Sequence, residues 1–321
     1  MTTRNGARIE IIAPSGAHLS LERFDLALER LRARGHDVSC SAPREGWQRF
    51  GATDEARLAQ IHRAARAREI DAVMITRGGY GLSRLLDRID WPLVAASAAR
   101  GVRWIGYSDF TAFQLALLAR TGAPSFAGPG VAGDFGVDEP DPYMLEHFDA
   151  LIDGRLLPVR WDERWPVRAA GNEPVATSGS RRTPLQTIEG PLWGGNLSLV
   201  AAAVGTPYLP AVEGGILFLE DVAEHPYRVE RMLHQLLYSG VLAAQRALVL
   251  GEFTEWKPSP HDNGYDLRAV VDHFRARIPV PVVTGLPFGH VPRKAVLGIG
   301  ARYRLERDDP GWRLMPTASE D

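Results

Sequence analysis

Residues 71–81 read Asp71-Ala72-Val73-Met74-Ile75-Thr76-Arg77-Gly78-Gly79-Tyr80-Gly81, and residues 102–109 read Val102-Arg103-Trp104-Ile105-Gly106-Tyr107-Ser108-Asp109. Each is a short apolar run that stops abruptly at glycine or polar residues, as a buried strand does. The second run leads straight into 110–120, a stretch apolar nearly all round and therefore a deeply placed helix. Working outward, residues 8–13 form another buried strand, closed by the turn Pro14-Ser15-Gly16 and followed by a helix ending near Gly35. A short strand at 36–40 and a helix from Thr53 to about Arg68 complete the pattern. Strands alternating with helices at this spacing predict a mostly parallel sheet with helices on both faces.

Beyond residue 153 the periodicity dissolves into Arg, Pro, Gly and Ser, which marks a boundary. The expected organisation is an N-terminal α/β domain over 1–153, a linker over 154–188 and a C-terminal domain over 189–321. In that last part, 191–204 reads as a Gly-rich turn and an Ala-rich helix. Residues 216–219 read as a strand capped by Glu220 and Asp221. The next helix opens on Pro226, with Val229, Met232, Leu233, Leu236 and Leu237 on one face. A strand at 247–251, a helix at 266–277 and an extended stretch at 296–305 follow. The C-terminal domain is thus mixed α and β.

Composition sets the outer limits. The chain has 321 residues, 45% of them hydrophobic and 24% charged, the profile of an ordinary globular protein. A formal net charge of -2 disfavours a general nucleic-acid binder, which needs an excess of cations to neutralise phosphates. The clusters Ser180-Arg181-Arg182 and 63–68 read as solvated surface. One cysteine, Cys40, precludes an intramolecular disulfide and fits a reducing compartment. The first 16 residues carry an apolar run too short for a signal-peptide core, and the longest apolar stretch, 197–204, is too short for a membrane span. The expectation is a soluble cytoplasmic protein with no membrane partner. A homodimer is compatible with the chain.

In an open α/β sheet, ligands bind at the carboxyl ends of strands, and three features lie there. Ser108 sits between a strand and a buried helix, where a strained turn exposes a hydroxyl and the N–H of Asp109 faces a developing oxyanion. The competing reading is a simple helix N-cap, and the usual hydrolase elbow has glycine where this chain has Phe110. The Arg77 to Gly81 turn lets backbone approach a ligand, so Gly78 or Gly79 is the candidate second oxyanion donor. A plain tight turn is the alternative. Glu220 and Asp221 both end a strand, where a carboxylate can orient an imidazole. Among nine histidines, His290 stands out in the loop Phe288-Gly289-His290-Val291-Pro292. There is no His-Glu-x-x-His pair or Cys/His cluster, so neither a metal nor any other cofactor is expected.

Six segments, taken together and in order, resemble the serine LD-carboxypeptidases of murein recycling. They are Arg77-Gly78-Gly79-Tyr80-Gly81, Gly106-Tyr107-Ser108-Asp109, Trp193-Gly194-Gly195-Asn196, Phe218-Leu219-Glu220-Asp221-Val222, Pro226-Tyr227-Arg228-Val229-Glu230-Arg231-Met232-Leu233 and Phe288-Gly289-His290. The resemblance implies a nucleophile at Ser108, a glutamate at Glu220 in preference to Asp221, and a histidine at His290. It implies an N-terminal α/β domain, a C-terminal domain with barrel-like β structure and an active site between them. The implied substrate is a murein tetrapeptide or related small peptide. Arg77, Arg228, Arg231 and Arg293 are candidates for its terminal carboxylate, and Trp193 and Asn196 for lining the cleft. The related microcin C self-immunity hydrolases, which cleave an aminoacyl-nucleotide, share the motifs and are the alternative. A two-domain module that only binds a ligand is the alternative of another class.

Overall fold

The computed structural model describes residues 6–163, 187–308 and 311–317. The Ser180-Arg181-Arg182 cluster and most of the expected linker lie outside the described residues. The chain divides into two compact units. The first takes the residues up to 156 together with 207–210 and 296–299, and the second takes 157–206, 211–295 and the chain from 300. Among the described residues no helix is long and apolar enough to cross a membrane.

In the first unit the order is β1 (Arg8–Ile12), α1 (Leu21–Ala33), β2 (Asp37–Cys40), α2 (Asp54–Arg66) and β3 (Ala72–Ile75). There follow α3 (Trp91–Ala99), β4 (Arg103–Gly106), α4 (Thr111–Thr121), β5 (Ser125–Ala127) and α5 (Pro142–Ile152). Helix α1 starts where Ser20 Oγ accepts from Arg23 N at 3.1 Å, which satisfies an end donor. It buries Phe24, Ala27, Leu28 and Leu31, the spacing of one helical face. All four residues of β3 are buried, as a central parallel strand covered on both faces requires. Residues 111–117 of α4 are buried without interruption, in agreement with its all-round apolar sequence.

The second unit runs β6 (Val159–Trp161), β7 (Ile188–Asn196), α6 (Leu197–Ala203), β8 (Ile216–Val222), α7 (Pro226–Tyr238), β9 (Ala247–Thr254), α8 (Leu267–Arg277) and β10 (Val282–Thr284). The chain then contributes β11 (Leu297–Ile299) to the first unit, before β12 (Arg302–Asp308) and β13 (Gly311–Pro316) in the second. On α7, Val229, Leu233 and Leu236 are buried, so the apolar stripe read from the sequence is the packed face.

The first sheet has six strands in the order β11-β5-β4-β3-β1-β2. Its strands β1 to β5 pair in parallel, and β11 joins β5 antiparallel. This doubly wound order changes direction between β1 and β3, which opens a crevice at their carboxyl ends. The second sheet has seven strands in the order β10-β9-β8-β7-β12-β13-β6. It is parallel from β10 to β7 and antiparallel from β7 to β6. Two parallel-sheet and mixed α/β units are what the chain's element pattern predicts.

Two local readings change. The Gly-rich turn expected within 191–204 is the end of strand β7, which runs through Gly194 and Gly195 at φ 127° and 129°. A Cβ on Gly194 would stand 2.0 Å from the Phe218 carbonyl oxygen, so glycine here serves close strand approach. The extended stretch expected at 296–305 is two strands in two sheets, separated at Gly300, whose φ is 85°.

Candidate active site

The first cluster of candidate groups lies at the carboxyl ends of β1, β3 and β4. The turn after β1 is tied to the turn after β3 by Gly16 N–H, which donates to the Gly78 carbonyl at 3.0 Å. These are the two strands flanking the change of direction in the sheet, where a bound group meets backbone from both sides.

Ser108 follows β4 at φ 62°, a left-handed conformation that costs a non-glycine residue about 1–3 kcal/mol. Tyr107 occupies the N-cap position and Ser108 is the first residue of a single 3-10 turn, so the plain N-cap reading does not describe it. The strain is held by its surroundings. Gln114 Nε2 donates to the Gly106 carbonyl at 3.2 Å, and Phe110 N–H to the Tyr107 carbonyl at 3.2 Å. Phe110, standing where the usual elbow has glycine, is fully buried and stacks on Phe113 at 4.7 Å. The room for this geometry comes from Gly106, where a Cβ would be 2.8 Å from both Ile75 and Phe110.

Gly78 borders Ser108 directly. A Cβ on Gly78 would lie 2.6 Å from Ser108 Cβ, 2.7 Å from Ser108 Oγ and 3.3 Å from Asp109 N. Gly79, at φ 103°, packs over the Arg77 guanidinium and Gly16. Arg77 is half-buried and donates to the Ala17 carbonyl at 3.1 Å. Burial lowers its pKa from the ordinary guanidinium value. The Asp109 carboxylate is 1% exposed and accepts from Leu82 N at 3.0 Å. Burial raises its pKa, against the opposing N–H donation from Leu82. The side chain of Asp109 therefore locks the loop, leaving only its backbone as a candidate for binding. Arg57, which sequence reading passed over, is fully buried and donates to the carbonyls of Pro14 and Gly81 at 2.6 and 2.9 Å. It clamps the turns after β1 and β3 to α2.

The second cluster lies at the carboxyl ends of β7, β8 and β9. Asn196 pairs in register with Glu220, and the pairing of β8 with β9 shifts between Leu219 and Asp221. Such a bulge re-aims neighbouring side chains. Here Asn196 Nδ2 reaches both Asp221 Oδ1 at 2.8 Å and Glu220 Oε1 at 3.3 Å. The second oxygen of Glu220, a fully buried residue, is 2.8 Å from His290 Nδ1. Burial alone would lower the pKa of His290, but the charge and hydrogen bond of Glu220 outweigh it, and the net shift is upward. Gly289, at φ 145°, permits this approach, since a Cβ there would be 2.9 Å from the Glu252 carbonyl oxygen and 3.4 Å from Glu220 Cβ.

Asp221, the rival of Glu220 in the sequence, faces other partners. It accepts from Ser198 N at 2.9 Å, Ser198 Oγ at 2.6 Å and Val222 N at 2.9 Å. Burial, then the charge of Glu220, push its pKa up to about 6. Asn196 is accordingly a bridge between two carboxylates and, through Leu199 N at 3.4 Å, a cap of α6. Trp193, expected to line a cleft, is 1% exposed and gives its indole N–H to Gln245 at 2.8 Å, a core role. Arg228, expected to touch substrate, is on the exposed side of α7, 3.6 Å from Glu224. Arg231 and Arg293 are also exposed.

The comparisons with known proteins cover both units. The family described as LD-carboxypeptidase N-terminal domain matches residues 9–128, and LD-carboxypeptidase C-terminal domain matches 189–305. The murein tetrapeptide carboxypeptidase of Pseudomonas aeruginosa is 32% identical over 309 residues, covering 95% of each chain. The crystal structure of muramoyltetrapeptide carboxypeptidase from Oxalobacter formigenes is 41% identical, with a TM-score of 0.83 over 96% of this chain and 99% of that one. The structure of MccF in complex with glutamyl sulfamoyl guanosine has a TM-score of 0.80 over 98% and 97% of the two chains, at 21% identity. That last likeness is one of fold alone.

Proposed function

Since the chain belongs to the LD-carboxypeptidase family, we propose that it releases the terminal D-alanine of murein tetrapeptides by a serine mechanism. The Pseudomonas aeruginosa relative is named a murein tetrapeptide carboxypeptidase and the Oxalobacter formigenes structure a muramoyltetrapeptide carboxypeptidase, and each match spans almost the whole of both chains. The observation that carries the mechanistic reading is the Glu220–His290 pair at 2.8 Å. A buried carboxylate on Nδ1 fixes the tautomer, so that Nε2 is the atom left to accept a proton.

In this reading His290 Nε2 takes the proton of Ser108 as Oγ attacks the amide carbonyl carbon. Glu220 stabilises the imidazolium that forms. The oxyanion is held by the N–H of Asp109 and that of Gly78 or Gly79, each donor worth on the order of 3 kcal/mol. As the intermediate collapses, His290 returns the proton to the departing amine and D-alanine leaves. Water then attacks the acyl-serine by the same route, and Oγ regains its proton. Arg77 keeps guanidinium donors beyond the one given to Ala17 and is the cation we assign to the terminal carboxylate.

The test compares three peptides. A tetrapeptide whose penultimate residue is an L-centre should lose D-alanine. The same peptide ending in L-alanine should be a very poor substrate, because inversion exchanges the methyl and carboxylate directions. The pentapeptide ending in D-alanyl-D-alanine should resist, because its last bond joins two D-centres. Equal rates on all three sink the assignment. Cleavage of an aminoacyl-adenylate alone would favour the self-immunity alternative. Stable binding without turnover, and without an acyl adduct on Ser108, would favour the binding module.

A further inference from the structure

Helices α7 and α8 of the second unit pack against one another and bring together Glu230, His234 and His273. One ligand atom from each lies within 4.8 Å of the others. Glu230 and His234 are one helical turn apart on α7, with His234 Nε2 3.7 Å from Glu230 Oε1. His273 comes from α8, its ring centroid 5.2 Å from that of His234. From these residues we infer that the α7–α8 surface carries a binding site for one divalent ion of the zinc class, separate from the residues proposed for catalysis.

Three observations support it. The first is the donor chemistry, since two imidazoles and a carboxylate are a set that suits zinc, cobalt or nickel, with water able to supply a fourth ligand. The second is commitment. Among the described residues neither the His234 nor the His273 side chain makes a hydrogen bond, although ring contacts fix the His234 imidazole. It lies between Tyr238, with centroids 5.3 Å apart, and Phe274, at 5.0 Å. The third is orientation. The Tyr265 hydroxyl donates to Glu230 Oε2, leaving Oε1 turned toward His234. An outer hydrogen bond of this kind orients a ligating carboxylate and tunes its affinity.

The spacing is also close to what is needed. Ligands about 2.1 Å from a tetrahedral ion stand about 3.4 Å apart. The Glu230–His234 pair at 3.7 Å is nearly there. His273 is exposed, so a rotamer adjustment that gives up its edge contact with Phe274 can close the remaining gap. Sequence spacing concealed the site, because the third ligand is 39 positions beyond His234 and on another helix.

Untagged, metal-stripped protein would be titrated with zinc by calorimetry and with cobalt by visible absorption. One equivalent should bind, cobalt should show the intense d–d bands of a tetrahedral site, and zinc should raise Tm. His273→Ala, at an exposed position, should fold normally, lose the cobalt bands and weaken zinc binding at least about 10-fold. Tyr265→Phe should retain the bands with affinity reduced about 10-fold, since it removes only the outer hydrogen bond. Absence of saturable one-equivalent binding, or wild-type affinity in folded His273→Ala, would overturn the inference.

Discussion

A single methyl group at Gly78 tests the contact between the glycine turn and Ser108. The Cβ of Gly78→Ala would stand 2.7 Å from Ser108 Oγ, so the hydroxyl must move or the turn must back away. Gly78 has no left-handed φ, so an alanine has no backbone penalty there. The expected result is a folded protein with kcat reduced about 100-fold or more, read from peptide turnover and Tm together. A variant with wild-type kcat would remove Gly78 from the site. Glu220→Gln acts on His290 instead. The raised His290 pKa means that the pair's stabilisation is complete below the ordinary imidazole value of 6.5. It fades as pH rises through the higher folded value. Catalysis needs the neutral ring, so the acid limb of kcat/KM against pH should lie above 6.5 in the wild type. In Glu220→Gln it should move to lower pH as the overall rate falls. An unmoved limb would mean that His290 is not the titrating base. Ser108, Glu220 and His290 stand out as candidates in the sequence because each is at a strand end or in a glycine-flanked loop. Position alone leaves Asp221 level with Glu220, and only the family resemblance prefers Glu220. The Asn196–Ser198–Asp221 network and, separately, the Arg57 clamp were not readable, because their partners lie on other elements.

At the scale of elements, the sheet edges and glycines explain where pattern reading succeeded and failed. Buried strands such as β3 and β8 announce themselves as unbroken apolar runs, and α7 does so by its stripe. Strand β7 did not, since paired glycines usually signal a turn. What decides it is the Phe218 carbonyl 2.0 Å from a would-be Cβ at Gly194, a neighbour invisible to local sequence. The short β5 and helices α3 and α5 also escaped the reading. Three strand residues and the uniformly apolar, Ala-rich α3 carry little periodicity, whereas α5 does bury one face through Met144, His147, Phe148 and Leu151. Gly194→Ala should therefore separate β7 from β8 and displace Asn196. Adding the left-handed φ, we expect a loss of about 3 kcal/mol or more in urea unfolding. Leu233→Ala, which empties a site 1% exposed on α7, should cost about 2–5 kcal/mol with little change in substrate KM. If Gly194→Ala unfolds at the wild-type midpoint, the close approach of β7 and β8 is not what fixes that glycine.

Over the whole molecule, chain order and spatial order part company most consequentially near the C-terminus, at a place that governs how the protein can be cut. A reading along the sequence assigns everything after 189 to the second half. The first sheet nevertheless ends with β11, formed by Leu297–Ile299 after the chain has completed most of the second unit. Three residues are too few to betray which sheet they join, and Gly300 alone redirects the chain into β12. The contribution of β11 is not marginal. Val296, Leu297 and Ile299 are all at most 1% exposed, and β11 covers the open edge of β5. Val296 also belongs to the apolar core formed with Ile9, Ile11, Met74 and Phe148. Removing three buried aliphatic side chains forfeits about 1.5–3 kcal/mol each, against a typical total stability of about 5–15 kcal/mol. It also leaves an unpaired edge that favours aggregation. A fragment of residues 1–156, which contains every other strand of the first sheet, should thus fail to reproduce the stability of that unit. It should unfold at much lower urea than the intact chain or be recovered as aggregate. Fusing residues 294–300 to its C-terminus through a flexible linker should recover part of the loss, because it restores both the β5 pairing and the buried side chains. A monomeric 1–156 fragment with the full-length unfolding midpoint would show that β11 is dispensable to the first sheet.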